Sequence, residues 1–252
     1  AWAFHCIHEE TGREIVLALE PEPGSTLETT PEVISFFEQH LLDRNARSSL
    51  EALGADAADA EPIARRHLGL CYDACHQAVE FEDPVESMEA LRAAGVRIAK
   101  FQVTSALDVE NPGRADVQDR LRRFAEPRYL HQVARRDVDG RVHVHPDLQT
   151  LLPDVSAEWE RAASWRIHFH VPVHRREIAG LGTTQADLGR ALRHAVQQRV
   201  TEHFEVETYT WDLLDEESLS GEALVEGLAR EMEWTEREMR AAFTDGTDGE
   251  LA

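Results

Sequence analysis

His67-Leu68-Gly69-Leu70-Cys71-Tyr72-Asp73-Ala74-Cys75-His76 reads as a buried strand that stops on a carboxylate and then turns, with an imidazole three residues further on. A short apolar run without alternation is the pattern of a parallel strand covered on both faces. On the N-terminal side, Glu14-Ile15-Val16-Leu17-Ala18-Leu19 is a second such run, ended by Glu20-Pro21-Glu22-Pro23-Gly24. Between the two, Thr30-Pro31 opens a helix whose apolar stripe is Val33, Ile34, Phe37 and Leu41. The polar, Ala-rich stretch from Arg44 to Ala60 is partly helical. On the C-terminal side, Asp83-Pro84 starts a helix that Gly95 stops, and Val96 to Val103 is a third strand. Arg114 to Phe124 is an amphipathic helix.

There the strand–helix rhythm breaks. Arg128 to Val133 and Gly140 to His145, with Asp139-Gly140 between them, read as a β-hairpin. Trp165 to Val173 reads as a further strand, Thr184 to about Arg199 as a helix, and Phe204 to Trp211 as the last strand. Two acidic helices, about Gly221 to Met232 and Thr235 to Phe243, precede a tail rich in Asp and Gly. The expectation is one α/β domain over residues 1–252, with 126–165 a hairpin and loop insertion.

The chain has 252 residues, 42% of them hydrophobic, enough for a full core. Lys and Arg number 26 against 48 Asp and Glu, a formal charge of −22 that argues against nucleic acid or anionic lipid as partner. No apolar run approaches the length of a membrane span and no signal peptide is evident, so neither membrane insertion nor secretion is expected. Cys6, Cys71 and Cys75 are an odd, low count that suits a reducing, cytoplasmic setting. The chain starts at Ala1, so its beginning is expected to be trimmed.

Chemistry-bearing side chains gather where strands end, which is where β/α barrels place their sites. Glu20 follows an apolar run and needs a partner, a metal or hydrogen bonds. Asp73 and His76 offer an oxygen and a nitrogen to one borderline divalent cation, although D-x-x-H alone is a weak signal. His168 and His170 share a strand face, a spacing common to metal ligands and to half-buried histidine pairs alike. Glu205 and Glu207 also share a face, and Glu207 lies nearer the strand's end. Arg176 beyond the histidines suits a carboxylate, phosphate or polyhydroxyl ligand. His5-x-x-His8-Glu9-Glu10 lacks the second histidine of H-E-x-x-H and reads as a solvated helix end. No Gly-rich phosphate loop or nucleophile elbow is present.

Leu19-Glu20-Pro21 with Leu27-Glu28-Thr29, Tyr72-Asp73-Ala74-Cys75-His76, and His168-Phe169-His170 followed by Arg176 and Gly180-Leu181-Gly182-Thr183 resemble the xylose-isomerase-like superfamily of TIM barrels. Within it, Leu70 to Asp83, Lys100 to Leu107, Leu130 to Val133, His168 to Val173 and Glu207 to Trp211 look like segments of the EboE-type metabolite-traffic proteins. The resemblance implies a divalent metal (Mn, Mg, Co or Zn) held by Glu20, Asp73, His170 and Glu207. It implies that His76, Arg176, Glu28 and Gln102 contact substrate, and that Glu20 and Glu207 move protons if the protein is an isomerase or epimerase. The partner it implies is a small polar metabolite, with other proteins of the same metabolite pathway, in traffic or processing of a secondary-metabolite precursor. The family's barrel has four strand–helix units before the Glu20 strand, so the chain is expected to be the C-terminal half, the rest missing or supplied elsewhere. Gln102 and His170 compete for one ligand position: imidazole is the better ligand, topology favours Gln102.

Overall fold

The computed structural model describes residues 1–211 and 221–247. Strands β1 (Leu17–Leu19), β2 (Leu68–Asp73), β3 (Ile98–Val103) and β10 (Phe204–Val206) lie in the order β1-β2-β3-β10, every pair parallel. Helix α1 (Trp2–Thr11) precedes β1, and the helices between the strands are α2 (Thr30–Phe36, continued by a π-helical turn Phe37–Leu41), α3 (Arg44–Leu53), α4 (Ala60–His67), α5 (Ala74–Val79), α6 (Pro84–Ala93), α7 (Ala115–Leu121), α8 (Leu148–Leu151), α9 (Ala157–Glu160) and α10 (Gln185–Gln197). Their starts follow the capping chemistry of the sequence. Thr29 and Glu32 form a capping box on α2 with Pro31 in the first turn, and the Asp83 carboxylate accepts from Val85 and Glu86 N–H on α6. Gly95, at φ 69°, supplies the left-handed residue that ends α6.

One face of this sheet is apolar. Leu70, Tyr72, Phe101 and Val103 bury against Val33, Phe37, Ile63, Met88, Leu91, Leu188 and Leu192 from the helices. Tyr72 stacks on Phe101 with centroids 5.3 Å apart, and Phe204 continues the row at 5.5 Å. Each such side chain contributes about 1.5–3 kcal/mol by burial. The other face is polar, and a bulge arranges it. Leu70 pairs with Ile98, but Cys71 pairs with Lys100 and Asp73 with Gln102. Paired residues of parallel strands point the same way, so Cys71, Asp73, Lys100 and Gln102 share a face. Glu205 pairs with Gln102 and joins them. Gly69 makes the bulge possible, because a Cβ there would meet the Arg97 carbonyl oxygen at 2.9 Å.

The remaining strands form a second, antiparallel sheet ordered β6-β5-β7-β4-β9-β8. They are β4 (Leu107–Glu110), β5 (Val133–Arg136), β6 (Val142–His145), β7 (Ser164–Ile167), β8 (Glu177–Ile178) and β9 (Leu181–Thr183). This sheet has its own core, built on Leu107, Leu121, Phe124, Leu148, Trp165, Ile167 and Phe169. The protein is therefore a mixed α/β fold, and its parallel sheet does not close into a barrel among the described residues.

Outside residues 126–165, β4, β8 and β9 also pair into the hairpin's sheet. Two expectations change. The run Trp165 to Val173 is not one strand of the parallel sheet. It ends at Ile167, after which His168 N–H donates to Gln132 and Val171 N–H to Ser105, so the segment leaves the ladder. The two acidic helices are one, α11 (Gly221–Thr247), since Glu233-Trp234-Thr235 contains no residue that stops a helix and Trp234 and Thr235 bury against the body. Part of the Asp- and Gly-rich tail lies outside the described residues. Among the described residues no helix is long and apolar enough to cross a membrane.

Candidate metal centre

Asp73 ends β2 and caps α5 at once. Its Oδ1 accepts from the His76 N–H at 2.9 Å and from the Thr104 hydroxyl at 2.7 Å. Thr104 in turn accepts from the Cys75 N–H at 2.8 Å, which fixes the hydroxyl's direction. Both lone-pair directions of Oδ1 are thus used, while Oδ2 is buried with no partner. Burial pushes this carboxyl's pKa up, but the His76 and His170 rings, the Thr104 hydroxyl and the His76 N–H outweigh it and hold it below the ordinary value.

The His76 and His170 imidazoles stand beside Asp73, and His168 touches both. His76 Nδ1 lies 2.8 Å from the Pro21 carbonyl, His168 Nδ1 2.8 Å from Gln132 Oε1, and His170 Nδ1 3.3 Å from the Glu207 carbonyl. Each acceptor is an oxygen, so in a neutral ring the proton sits on Nδ1 and the lone pair on Nε2. His168 Nε2 stands between the other two, 3.1 Å from His76 Nε2 and 3.3 Å from His170 Nε2. Burial drives the His168 ring well below its usual pKa and the His170 ring down to about 4, so neither carries a second proton at neutral pH. Facing lone pairs at that distance repel unless a proton or a metal ion lies between them. Nitrogens about 2.0–2.1 Å from a tetrahedral ion would stand about 3.3 Å apart.

A carboxylate lobe adjoins the imidazoles. Glu20, Asp73 and Glu207 offer oxygens within 4.8 Å of one another, and Asp73, His76 and His170 form a second group within the same limit. Burial, then the neighbouring Asp73 charge, raises the pKa of Glu20; the same two causes, followed by Glu20, push Glu207 up to about 7. Glu207 Oε2 is buried without a partner. Cys75 Sγ makes a third group with His168 and His170, but burial holds the thiol strongly protonated. Two unpartnered carboxylate oxygens and three outward lone pairs fit a divalent cation. Access is from the side of Glu20 and Glu22, which are exposed, because His76, His168 and His170 are buried.

The structure thus brings Glu20, Asp73, His76, His170 and Glu207 together, as two groups that share Asp73. Gln102 stands beside Asp73 in register and accepts from the Cys71 thiol at 2.8 Å, so topology gives it the parallel-sheet position while the imidazoles arrive from the excursion. Glu28 closes its own loop by accepting from the Gly24 N–H, and Arg176 donates to Gln185 Oε1 in a cavity of about 450 Å³ with Arg190, Arg193 and Trp234. Neither enters the groups around Asp73. Sequence reasoning noticed His168 as the face-mate of His170 without placing it among the ligands; it gave no signal for Thr104 or Gln132, whose roles exist only in the folded chain. Compared with family models, characterised proteins and solved structures, the chain matches none.

Proposed function

We propose that the chain is a divalent-metal protein of the xylose-isomerase-like kind that converts a small polar metabolite bearing adjacent oxygen functions. The observation that carries this reading is the buried group Asp73, His76 and His170, whose ligand atoms lie within 4.8 Å of one another, with Asp73 Oδ2 unpartnered. The polar face of the parallel sheet supports it as part of a barrel interior, since the candidate ligands lie at the C-terminal ends of β1, β2 and β10.

A bound divalent cation would polarise a carbonyl or hydroxyl oxygen and acidify a neighbouring C–H. Asp73, held by Thr104 and the His76 N–H, fixes the metal-facing oxygen. The carbonyls of Pro21 and Glu207 and the Gln132 amide keep the imidazoles in the metal-binding tautomer. Glu207, its carboxyl pushed up to about 7, holds or releases a proton near neutral pH, and Glu20 faces it across the carboxylate lobe. Two such carboxylates favour isomerase or epimerase chemistry over simple hand-over of the metabolite. The resemblance to EboE-type traffic proteins supplies the setting: a secondary-metabolite pathway, other proteins of that pathway as neighbours, and the cytoplasm.

Metal analysis of the purified chain after dialysis against Mn, Co or Zn tests the centre. Asp73→Ala is expected to remove one equivalent of bound ion; equal metal content in wild type and variant would sink the reading. Deuterium incorporation at a carbon-bound position across a panel of sugars tests conversion, and no exchange with any of them leaves the hand-over role.

A further inference from the structure

Cys75 is fully buried, and no step of the chemistry above uses it. It lies in the first turn of α5, two residues after Asp73. Its sulfur and one ring nitrogen each of His168 and His170 lie within 4.8 Å of one another. The Nε2 atoms of the two rings stand 3.3 Å apart, the separation of two nitrogens bound to one tetrahedral ion. A sulfur about 2.3 Å and a nitrogen about 2.0–2.1 Å from such an ion stand about 3.6 Å apart. From a limit of 4.8 Å the sulfur therefore closes on each nitrogen by no more than about 1.2 Å. On its other side Cys75 packs with Val79, Ala106 and Ala134, which offer no competing ligand.

Glu20, Asp73 and Glu207 form a separate set, all oxygen, with no member in common with this thiol and its two imidazoles. A neutral imidazole has one lone pair, so His170 serves one ion at a time. With His170 turned to the sulfur, the oxygen side still keeps its three carboxylates. The two halves differ in the ion each prefers, because thiolate and imidazole select zinc while carboxylates suit manganese or magnesium. In the empty chain burial, then the Asp73 and Glu207 charges, hold a proton on the Cys75 sulfur. Those same negative charges attract a cation, and a hydrogen bond from the Phe169 backbone favours the thiolate. When an ion binds, the S–H bond breaks, the sulfur gives its electron pair to the ion and the proton passes to solvent, since a coordinating thiol is deprotonated outright.

We propose that Cys75, His168 and His170 form a second metal site beside the Asp73 centre, for a thiophilic divalent ion of the zinc kind, so that the chain holds one ion on sulfur and nitrogen and another on carboxylate oxygen. The pairing of two ions rests on the reading of Asp73 as a metal ligand, while the sulfur site stands on its own three side chains.

The probe is cobalt(II) alone, the spectroscopic stand-in for zinc, titrated into the whole reduced chain. Wild type is expected to bind two equivalents, one of which brings the near-ultraviolet charge-transfer band of a cobalt–thiolate bond. Cys75→Ala is expected to bind one equivalent fewer and to show no band. His168→Gln keeps the thiol and is expected to bind the band-forming equivalent at least about tenfold more weakly. Cys6→Ser, which removes the part-exposed thiol, is expected to keep the band. Asp73→Ala is expected to lose the other equivalent and keep the band. If the Asp73 centre is wrong, wild type binds one equivalent with the band and Asp73→Ala does the same, which still supports the sulfur site. A band of equal intensity in wild type and Cys75→Ala overturns it, and so does a wild type that shows no band.

Discussion

At the scale of single residues, Asp73 does two jobs with its two oxygens. Oδ1 caps α5 and holds Thr104, while Oδ2 is left buried without a partner. Asp73→Asn can keep the first job and lose the second. Its amide oxygen still accepts both hydrogen bonds, so stability should change by only about 1 kcal/mol while metal affinity falls at least about 100-fold. Chemical denaturation with a metal-competition assay on the same samples checks both halves of this. Glu80 gives a prediction about pH. It is buried with Oε1 unpartnered, and burial, then Glu28, Glu82 and Glu32, pushes its carboxyl up to about 7. Between its ordinary value of 4.5 and 7 the unfolded chain releases a proton that the folded chain keeps, so this group's contribution to stability falls as pH rises through that window. Glu80→Gln has no such proton. Its stability relative to wild type should therefore grow between pH 5 and pH 8 by on the order of 2 kcal/mol, after discounting for solvent screening. A gap that stays flat across that range would contradict the assignment. The residues the sequence made legible are those where an apolar run ends on a charge: Glu20, Asp73 and Glu207. Thr104 and Gln132 were not legible, because they act on residues 31 and 36 positions away and their roles follow from where the fold places them.

At the scale of elements, α11 fastens the two segments that bring His170 and Glu207. Glu231 on α11 is fully buried and accepts from the Val173 N–H at 3.0 Å, the Thr208 hydroxyl at 2.6 Å and the Trp211 indole at 3.1 Å. Val173 follows His170, and Thr208 follows Glu207. Thr210 also donates its hydroxyl to the His170 carbonyl, and the Tyr209 ring lies 4.6 Å from that of His170. Removing the Glu231 carboxylate leaves three buried donors unpaired. Glu231→Ala should cost about 3 kcal/mol and weaken metal binding about tenfold, whereas Glu231→Gln should recover most of both. A loss of stability with unchanged metal affinity would show that α11 does not position the site. The parallel strands and their helices were legible because their apolar runs, caps and stopping glycines are local signals. β7 was misread for a physical reason: Trp165, Ile167, Phe169, Val171 and Val173 are all fully buried, so one apolar pattern continues through a segment that leaves the ladder after Ile167. Burial pattern alone does not say what the backbone pairs with.

At the scale of the whole molecule, the candidate centre joins two sheets that otherwise have separate cores. Glu20, Asp73 and Glu207 come from the parallel sheet and its strand ends, and His168 and His170 from the segment that returns out of the antiparallel sheet. His76 on α5 completes the contact, its ring 4.6 Å from that of His168. An ion at this junction binds only when both sheets are folded and docked, so its binding free energy adds to the stability of the assembled chain. At a free metal concentration 100 times the dissociation constant the gain is about 2.7 kcal/mol. For a chain of this size that corresponds to a rise in Tm of about 5–10 °C. Adding manganese should raise the Tm by this amount and merge the unfolding of the two cores into one transition, and EDTA should reverse both. The same experiment on Asp73→Asn should show no shift. If metal raises the Tm equally in both, the ion is bound somewhere other than the junction and the centre does not hold the two sheets together.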